Sequence, residues 1–239
     1  MSDGVLIIGA GPVGSITGLA LAQAACRLHH DPSQLMQVVA VTGTNGKTTT
    51  TYLLEAIVEE SGRRAGVIGT TGVRLAGQWL PSSFTTPEAP ELQSLLALMR
   101  GAGVAMVTLE ASSHALVQRR TWGLSCDACV FTNLTQDHLD YHGTMEAYLD
   151  AKLMLFDGRN GGQGKRPVAV VNADDPHADA VATAAAQGCR AVWRYGSADA
   201  VGMRDGVAIA AITPERSGMS LVFRERVGDQ VREHACALP

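Results

Sequence analysis

Short apolar runs, mostly of β-branched residues, alternate along the chain with longer segments whose apolar residues recur at helical spacing. This alternation predicts an α/β fold with a mostly parallel sheet flanked by helices. The runs that predict strands are 5–8, 38–41, 65–69, 104–109, 128–131, 167–171 and 191–195. The segments that predict helices are 15–24, 48–60, 87–99, 144–156 and 176–186. Residues 72–80 are typical of a polar hairpin, and alternating positions within 207–234 predict a small antiparallel meander at the C-terminal end.

The second apolar run leads into glycines and a lysine and then into a helix, which is the order of a phosphate-binding loop. Gly43 and Gly46 allow the backbone to turn its N–H groups toward an anion, and Lys47 adds a positive charge. Thr48 supplies a hydroxyl that suits Mg²⁺. The first glycine of the common G-x-x-x-x-G-K-[ST] pattern would fall at Val41, so the loop departs from that pattern. We predict phosphate binding, with a fortuitous Gly-Lys turn as the alternative.

Composition and charge narrow the class of protein. The chain has 239 residues, 46% of them hydrophobic, which is enough for one large or two small globular domains. Its net charge of −4 provides no basic field, so we expect no nucleic-acid partner and no anionic membrane surface. An odd set of five cysteines without a secretory signal favours the reducing cytoplasm. No apolar run approaches the roughly 18–20 residues of a membrane-spanning helix.

Cys126 and Cys129 have a C-x-x-C spacing, which occurs in zinc and redox sites. They lead into a predicted strand, and no second pair follows. We therefore expect two buried small residues rather than a metal or redox centre.

The N-terminal segment contains the glycine fingerprint Gly9, Gly11 and Gly14 after an apolar run, as dinucleotide-binding units do. The acidic residue expected about 20 positions later is missing. Residues 1–25 resemble the opening of FAD-dependent hydroxylases without their body. We expect residues 1–26 to form an atypical or fused Rossmann-like segment, and a purely structural strand and helix is the alternative.

Polar groups also follow two later strands. Glu110 ends one strand, where a carboxylate either binds magnesium or stabilises the N-terminus of the next helix. Asp137, His138, Asp140 and His142 follow the next strand, and their density favours a functional role. Lys152 lies farther on in a predicted helix, and from its neighbours alone we expect a solvated lysine.

Taken together, these motifs resemble the central domain of the Mur ligases, most closely the MurE type, over about residues 27–239. The motifs that carry the resemblance are GTNGKTT (43–49), TTPE (85–88), EASSH (110–114), FTNLTQDHLDYHG (131–143), AK (151–152) and NADDP (172–176). The family's UDP-binding domain would precede this segment, and its C-terminal ligase domain would follow it. The resemblance thus implies a C-terminally incomplete central domain at 27–239.

The resemblance implies roles for individual residues. The ATP phosphates would be bound by Gly43, Thr44, Asn45, Gly46, Lys47, Thr48 and Thr49. One Mg²⁺ would be held by Thr48 and Glu110, and a second by Glu110, His138 and a carbamate on Lys152. This reverses the interpretation of Lys152 drawn from its neighbours. The acceptor substrate would be contacted by Thr85, Thr86, Ser112, Gln118 and Arg120.

The family's chemistry would make the protein a cytoplasmic, ATP-dependent amide ligase of peptidoglycan synthesis, expected as a monomer. Its substrates would be UDP-N-acetylmuramoyl-L-alanyl-D-glutamate and a diamino acid, and an acyl phosphate would be the intermediate. Three alternatives stay open at this point. They are a non-catalytic nucleotide-binding fragment, a sibling ligase such as a folylpolyglutamate or cyanophycin synthetase, and an FAD- or NAD-dependent oxidoreductase built on the first glycines.

Overall fold

A computed structural model describes residues 12–75, 77–162, 164–202, 204–215 and 218–238. Eleven strands in these ranges form one sheet. The strands are β1 (Gln37–Thr42), β2 (Ala65–Gly69), β3 (Gly72–Leu75), β4 (Gln78–Leu80), β5 (Met106–Glu110), β6 (Ala128–Phe131), β7 (Val168–Asn172), β8 (Ala191–Ser197), β9 (Gly206–Glu215), β10 (Gly218–Val227) and β11 (Gln230–Leu238). The helices are α1 (Pro12–Leu28), α2 (Lys47–Glu60), α3 (Ala89–Gly101), α4 (Ser113–Val117), α5 (Leu139–His142), α6 (Met145–Leu153), α7 (Ala178–Gly188) and α8 (Ala198–Val201).

The strand order is β11-β10-β9-β8-β7-β6-β1-β5-β2-β3-β4. Neighbours from β9 across to β2 pair in parallel, whereas β3, β4, β10 and β11 pair antiparallel at the two sides. The predicted fold class, the hairpin and the C-terminal meander are therefore confirmed. A parallel sheet with helices between its strands follows from the near-continuous apolar runs, because both faces of such strands are covered.

The core lies around β1, β5 and β6, where Val38, Val107 and Phe131 are fully buried. These strands are parallel neighbours, so their carboxyl ends meet at one edge of the sheet. We call the loop 43–46 after β1, Glu110 at the end of β5, the loop 132–138 after β6 and the residues that bond to them the carboxyl edge. Ligands of open α/β sheets bind at such an edge.

Helix α1 is continuous from Pro12 to Leu28, so the predicted boundary between residues 26 and 27 falls inside it. It contacts α3, and Cys26 on α1 is buried, which places the helix against the body of the domain. Gly9, Gly11 and the predicted strand 5–8 lie outside the described residues. The expectation of an atypical or fused Rossmann-like segment at residues 1–26 therefore stays a prediction.

Element boundaries differ from the predicted ones by a few residues because side chains fix the helix ends. The helix predicted at 144–156 is α6, which Thr144 caps by accepting a hydrogen bond from the Ala147 amide at 3.2 Å. The helix predicted from residue 176 begins at Ala178, since the Asp175 carboxylate first accepts from the His177 amide at 2.8 Å. Side-chain oxygens at such positions satisfy amides that have no partner within the helix.

The described part of the chain contains no helix that is both long and apolar enough to cross a bilayer.

Cys126 and Cys129 are buried, as expected, and neither is in a disulfide. The hydrogen bond between Cys129 and Cys126, followed by burial, raises the pKa of the Cys129 thiol well above its usual value. The burial of both side chains and the raised pKa of Cys129 agree with a packing role.

Candidate nucleotide and ligase site

The loop after β1 has a backbone that only glycine adopts comfortably. Gly43 has φ +146° and Gly46 has φ +82°. A Cβ at Gly43 would overlap the hydroxyl of Thr132, and it would lie 3.1 Å from the amide nitrogen of Asn133. Glycine is therefore needed at 43 both for its backbone conformation and for the close approach of the loop after β6.

Asn133 and Thr132 bind the phosphate-loop candidate from the neighbouring strand. The amides of Thr44 and Asn45 donate to the carbonyl and side-chain oxygen of Asn133, each at 2.9 Å. The Thr132 hydroxyl donates to the Asn45 carbonyl at 2.6 Å. These amides are thus already bonded, so an anion would be bound mainly by the start of α2. No side chain among the described residues caps that helix end.

Lys47 lies folded back over the loop. Its Nζ donates to the carbonyls of Gly43 at 3.0 Å and Thr44 at 2.8 Å. Burial lowers the pKa of the Lys47 ammonium, and the charges of Glu110 and Asp137 oppose that shift. An anion arriving at the loop would therefore meet a partly desolvated positive charge, which interacts more strongly than an exposed one.

Glu110 is almost fully buried, with 1% of its surface exposed, and its carboxylate accepts three hydrogen bonds. Its Oε1 accepts from the Thr48 hydroxyl at 2.9 Å and from the Thr70 amide at 3.0 Å, and its Oε2 accepts from the Thr70 hydroxyl at 3.0 Å. The next helix, α4, is instead capped by Ser112, which accepts from the Ala115 amide. The Glu110 carboxylate therefore bonds groups beside the glycine loop, and Ser112 caps α4; the magnesium role of Glu110 stays a prediction.

Lys152 is 1% exposed, so the solvated lysine expected from its neighbours alone is wrong. Its Nζ donates to the Gly43 carbonyl at 3.0 Å and lies 4.3 Å from the centroid of the Tyr148 ring. Burial, followed by the charge of Lys47, lowers the pKa of Lys152 to about 7. A large fraction of this amine is therefore neutral near neutral pH.

A group of aromatic rings borders Lys152. His138 has a left-handed backbone at φ +51°, and its ring centroid lies 4.9 Å from that of His114. His142 approaches Ser113 at 2.9 Å, and burial is the main cause that lowers the pKa of both His114 and His142. Within the described ranges, no group of three His, Cys, Asp or Glu side chains is arranged to hold a metal ion.

The acceptor-side residues predicted before α3 bond directly to the end of β5. The Thr86 hydroxyl donates to the Glu110 carbonyl at 2.7 Å and accepts from the Ser112 amide at 3.2 Å. Thr85 contacts Thr70 through their hydroxyl oxygens at 3.1 Å. The loop that carries Thr85 and Thr86 is thus attached to the same glutamate as the phosphate loop.

Arg120 and Gln118 follow α4 on this side. Arg120 donates to the Thr86 carbonyl at 3.1 Å, pairs with Glu88 at 3.0 Å and lies over the Phe84 ring. Gln118 donates to the Tyr141 hydroxyl at 3.4 Å. The side-chain amide of Gln118 therefore lies toward Tyr141 and the neighbouring His114 ring. The guanidinium of Arg120 lies toward the loop that carries Thr86.

The sequence matches the family model described as the Mur ligase middle domain over residues 41–234. The chain belongs to the Mur ligase family. Two similar relatives are named UDP-N-acetylmuramoyl-L-alanyl-D-glutamate–2,6-diaminopimelate ligase. The relative from Corynebacterium glutamicum is 52% identical over 136 residues, which are 57% of this chain and 26% of the relative. The one from Geobacter metallireducens is 40% identical over 206 residues, which are 82% of this chain and 40% of the relative.

Solved structures agree with this Mur ligase fold. A UDP-N-acetylmuramoyl-L-alanyl-D-glutamate–2,6-diaminopimelate ligase is 32% identical with a TM-score of 0.74, covering 98% of this chain and 45% of that one. The folylpolyglutamate synthase of Mycobacterium tuberculosis, solved with ADP and AMPPCP, has the same fold at 16% identity and a TM-score of 0.64, covering 87% of this chain and 55% of that one. The chain spans less than half the length of the ligase relatives that it matches.

The Mur ligase fold brings most of the predicted site residues to the carboxyl edge, but sequence reasoning missed four residues that hold them. Thr70 bonds Glu110, Tyr148 lies under Lys152, and Thr132 and Asn133 bind the loop. Thr132 and Asn133 were part of a motif that we noted without a role. Tyr148 lies in the helix predicted at 144–156, where a tyrosine is typical of the apolar face. A lone threonine after a strand, such as Thr70, gives no signal.

Proposed function

We propose that this chain is the ATP-binding unit of a ligase that forms an amide bond in a peptidoglycan precursor. Its acceptor would be UDP-N-acetylmuramoyl-L-alanyl-D-glutamate and its second substrate a diamino acid, 2,6-diaminopimelate being the one that the relatives' names give. Because the chain covers less than half of those relatives, the complete reaction would also need the parts that they contain and this chain does not match.

The observation that carries the proposal is the bond between Thr48 and Glu110 beside the glycine loop. The loop Gly43–Thr49 would bind the ATP phosphates, with Lys47 releasing its two loop carbonyls to neutralise the β- and γ-phosphates. The uncapped start of α2 adds donors and the positive end of a helix dipole. The folylpolyglutamate synthase structure with ADP and AMPPCP supports the view that this fold accommodates such a nucleotide.

The oxygen donors present suit magnesium. Thr48 offers a hydroxyl and Glu110 a carboxylate, both hard oxygen ligands of the kind that Mg²⁺ takes. We propose that these two residues hold one ion, and that Glu110, His138 and a carbamate on Lys152 hold a second. Bound there, magnesium would neutralise the charge that builds up during phosphoryl transfer.

Lys152 has the environment that carbamate formation needs. Its pKa of about 7 leaves much of the amine neutral, so its nitrogen lone pair is free to attack the carbon of CO₂ with loss of one proton. The product is an anion, which would be stabilised by the nearby Lys47 charge that now disfavours the ammonium. The burial that lowers the pKa of this lysine therefore supports its conversion into a metal ligand.

The acceptor would lie across Thr85, Thr86, Ser112, Gln118 and Arg120. Its carboxylate would attack the γ-phosphate to give ADP and an acyl phosphate, and the incoming amine would then displace phosphate from the acyl carbon. Both steps bring negative groups together, so Lys47 and the helix start would stabilise them electrostatically. We propose a monomer working in the cytoplasm, where its free cysteines would stay reduced.

Calorimetric titration of the 239-residue chain with ATP and Mg²⁺ tests the nucleotide site. We expect Lys47→Ala to weaken binding about 100-fold or more, since it removes a partly buried charge that faces the phosphates. Arg63→Ala is the matched control, because it removes a cation beyond the far end of α2, where Arg63 bonds Gln37. Equal binding by wild type and Lys47→Ala would contradict the proposal, and so would the absence of binding by a folded wild-type chain.

A further inference from the structure

Glu110 is held by a residue that no motif marked. Thr70, directly after β2, donates its amide to Glu110 Oε1 and its hydroxyl to Oε2, each at 3.0 Å. Together with the Thr48 hydroxyl at 2.9 Å, three donors point at the two carboxylate oxygens. Thr70 supplies two of the three, so it fixes the plane of the carboxylate. Hydrogen bonds to a charged group of this kind are stronger than neutral ones.

The end of β2 is shaped to receive this carboxylate. Gly69 precedes Thr70, and a Cβ at Gly69 would overlap Glu110 Oε1. The glycine thus leaves the space that Glu110 occupies, and the next residue provides the donors that hold it there.

The direction of the hydrogen bonds links Glu110 to the acceptor side. A threonine hydroxyl carries one proton, and that of Thr70 is given to Glu110 Oε2. The contact of 3.1 Å between Thr70 and Thr85 therefore has Thr85 as its donor. On the other side of the glutamate, Thr86 donates to the Glu110 carbonyl. The acceptor loop is consequently bonded to Glu110 through its backbone and, by way of Thr70, through its side chain.

Thr71, the residue after Thr70, makes different contacts. Its carbonyl accepts from the Trp79 indole at 2.7 Å, and its hydroxyl meets the Tyr52 hydroxyl at 2.7 Å. Thr71 thus anchors the hairpin of β3 and β4 to α2. The Thr70 hydroxyl makes neither of these contacts. It contacts Glu110 and Thr85 instead.

We propose that Thr70 is a positioning residue that orients the Glu110 carboxylate for a magnesium ion and couples it to the acceptor loop at Thr85. This inference rests on the proposed function. It assigns to Thr70 no contact with the nucleotide itself, so its effect on ATP binding should depend on the metal.

The test is ATP titration of the full chain over a range of Mg²⁺ concentrations and in EDTA. We expect Thr70→Val to raise the Mg²⁺ concentration needed for half-maximal ATP binding about tenfold, the effect of one lost hydrogen bond to a charged group. ATP binding in EDTA should not change, and Thr70→Ser should restore the wild-type Mg²⁺ requirement because it keeps the hydroxyl. Thr71→Val is the matched control and should leave the Mg²⁺ requirement as it is.

A double-mutant cycle with Thr85→Val tests the coupling. Thr85→Val should raise the Mg²⁺ requirement in the wild-type background and have no effect in the Thr70→Val background. An unchanged Mg²⁺ requirement in Thr70→Val, or equal losses in EDTA and in Mg²⁺, would overturn this inference while wild-type binding upheld the proposed function. A folded wild-type chain that bound no ATP would overturn both.

Discussion

The carboxyl edge and the C-terminal meander are both made of strands and loops of one sheet, yet their polar groups are arranged in opposite ways. At the carboxyl edge, Glu110 and Lys152 are each 1% exposed and bond to groups far away in the chain. In the meander, Arg224 and Glu233 pair across neighbouring strands in the solvent, with their side chains about half exposed. The meander also leaves apolar side chains such as Ile212 and Val231 exposed.

This difference shows that the fold accepts the free-energy cost of buried charged groups at the carboxyl edge and avoids it in the meander. A buried charge costs free energy unless its partners compensate, and an exposed pair costs and contributes little. The carboxyl edge keeps a lysine and a carboxylate buried beside a loop whose backbone conformation requires glycine, which is the arrangement expected of a site that binds charged ligands. The meander has polar pairs that suit a solvated sheet.

The pH dependence of stability should separate the two regions most strongly. The pKa of Lys152 is about 7 in the folded chain, against 10.5 for an unperturbed lysine. Between these pH values the unfolded chain holds a proton that the folded chain has released, so stability rises with pH. Below pH 7 both states are protonated and the folded chain carries the whole cost of burial. We expect Lys152→Met to be the more stable protein there, by up to about 5 kcal/mol, and the gap to close toward pH 10.5.

Urea unfolding of wild type and Lys152→Met from pH 6 to pH 10 measures this gap. The buffers should contain neither bicarbonate nor magnesium, so that the lysine stays an amine. Other titrating groups are present in both proteins, so their contributions cancel in the difference between the two free energies of unfolding. A gap that stayed constant across this range would show that Lys152 is not a buried amine.

Much of the fold could be predicted from the sequence because its strands differ so clearly from its helices. Runs such as 104–109 are apolar at almost every position, which only a strand covered on both faces requires. The meander could be predicted for the opposite reason, since its alternation marks strands with two different faces. Strand order could not be derived in this way, because pairing across the sheet is decided by contacts between distant segments.

The candidate site was predictable where one short segment carries its chemistry, as the loop 43–49 does. The burial of Lys152 was not predictable from its own helix, since its Nζ bonds the carbonyl of Gly43, a residue 109 positions away. The role of Thr70 was not predictable either, because it depends on two hydrogen bonds to Glu110, a residue in another element. Periodicity describes one element at a time, and these contacts join separate elements.

Replacing one glycine in each region by alanine should give the next largest difference in stability loss between the carboxyl edge and the meander. Gly43 and Gly228 both have positive φ, but a Cβ at Gly43 would overlap Thr132, whereas a Cβ at Gly228 would meet nothing within 4 Å. Gly228→Ala should therefore cost only the left-handed backbone strain of about 1 kcal/mol. Gly43→Ala should cost about 3 kcal/mol, because overpacking is added to that strain.

Denaturant unfolding of both glycine variants at one pH measures the difference. We expect the slope of the free energy against denaturant to match wild type in each, so that the midpoints report stability. Similar losses at the two positions would mean that the loop after β6 does not hold the loop after β1 as closely as the bonds between them indicate.

The smallest effect should come from the ion pair of the meander. Arg224 and Glu233 approach at 2.7 Å, closer than the three donors that bond the Glu110 carboxylate, but both side chains are about half exposed. Water screens such a pair, so we expect a double-mutant cycle of Arg224→Ala and Glu233→Ala to give a coupling energy below about 1 kcal/mol, decreasing further in 1 M salt. Equilibrium unfolding of the two single variants and the double variant measures it. A coupling of several kcal/mol that resisted salt would remove the contrast drawn above, because it would require the meander to be covered in solution and its charges to be desolvated like those of Glu110 and Lys152.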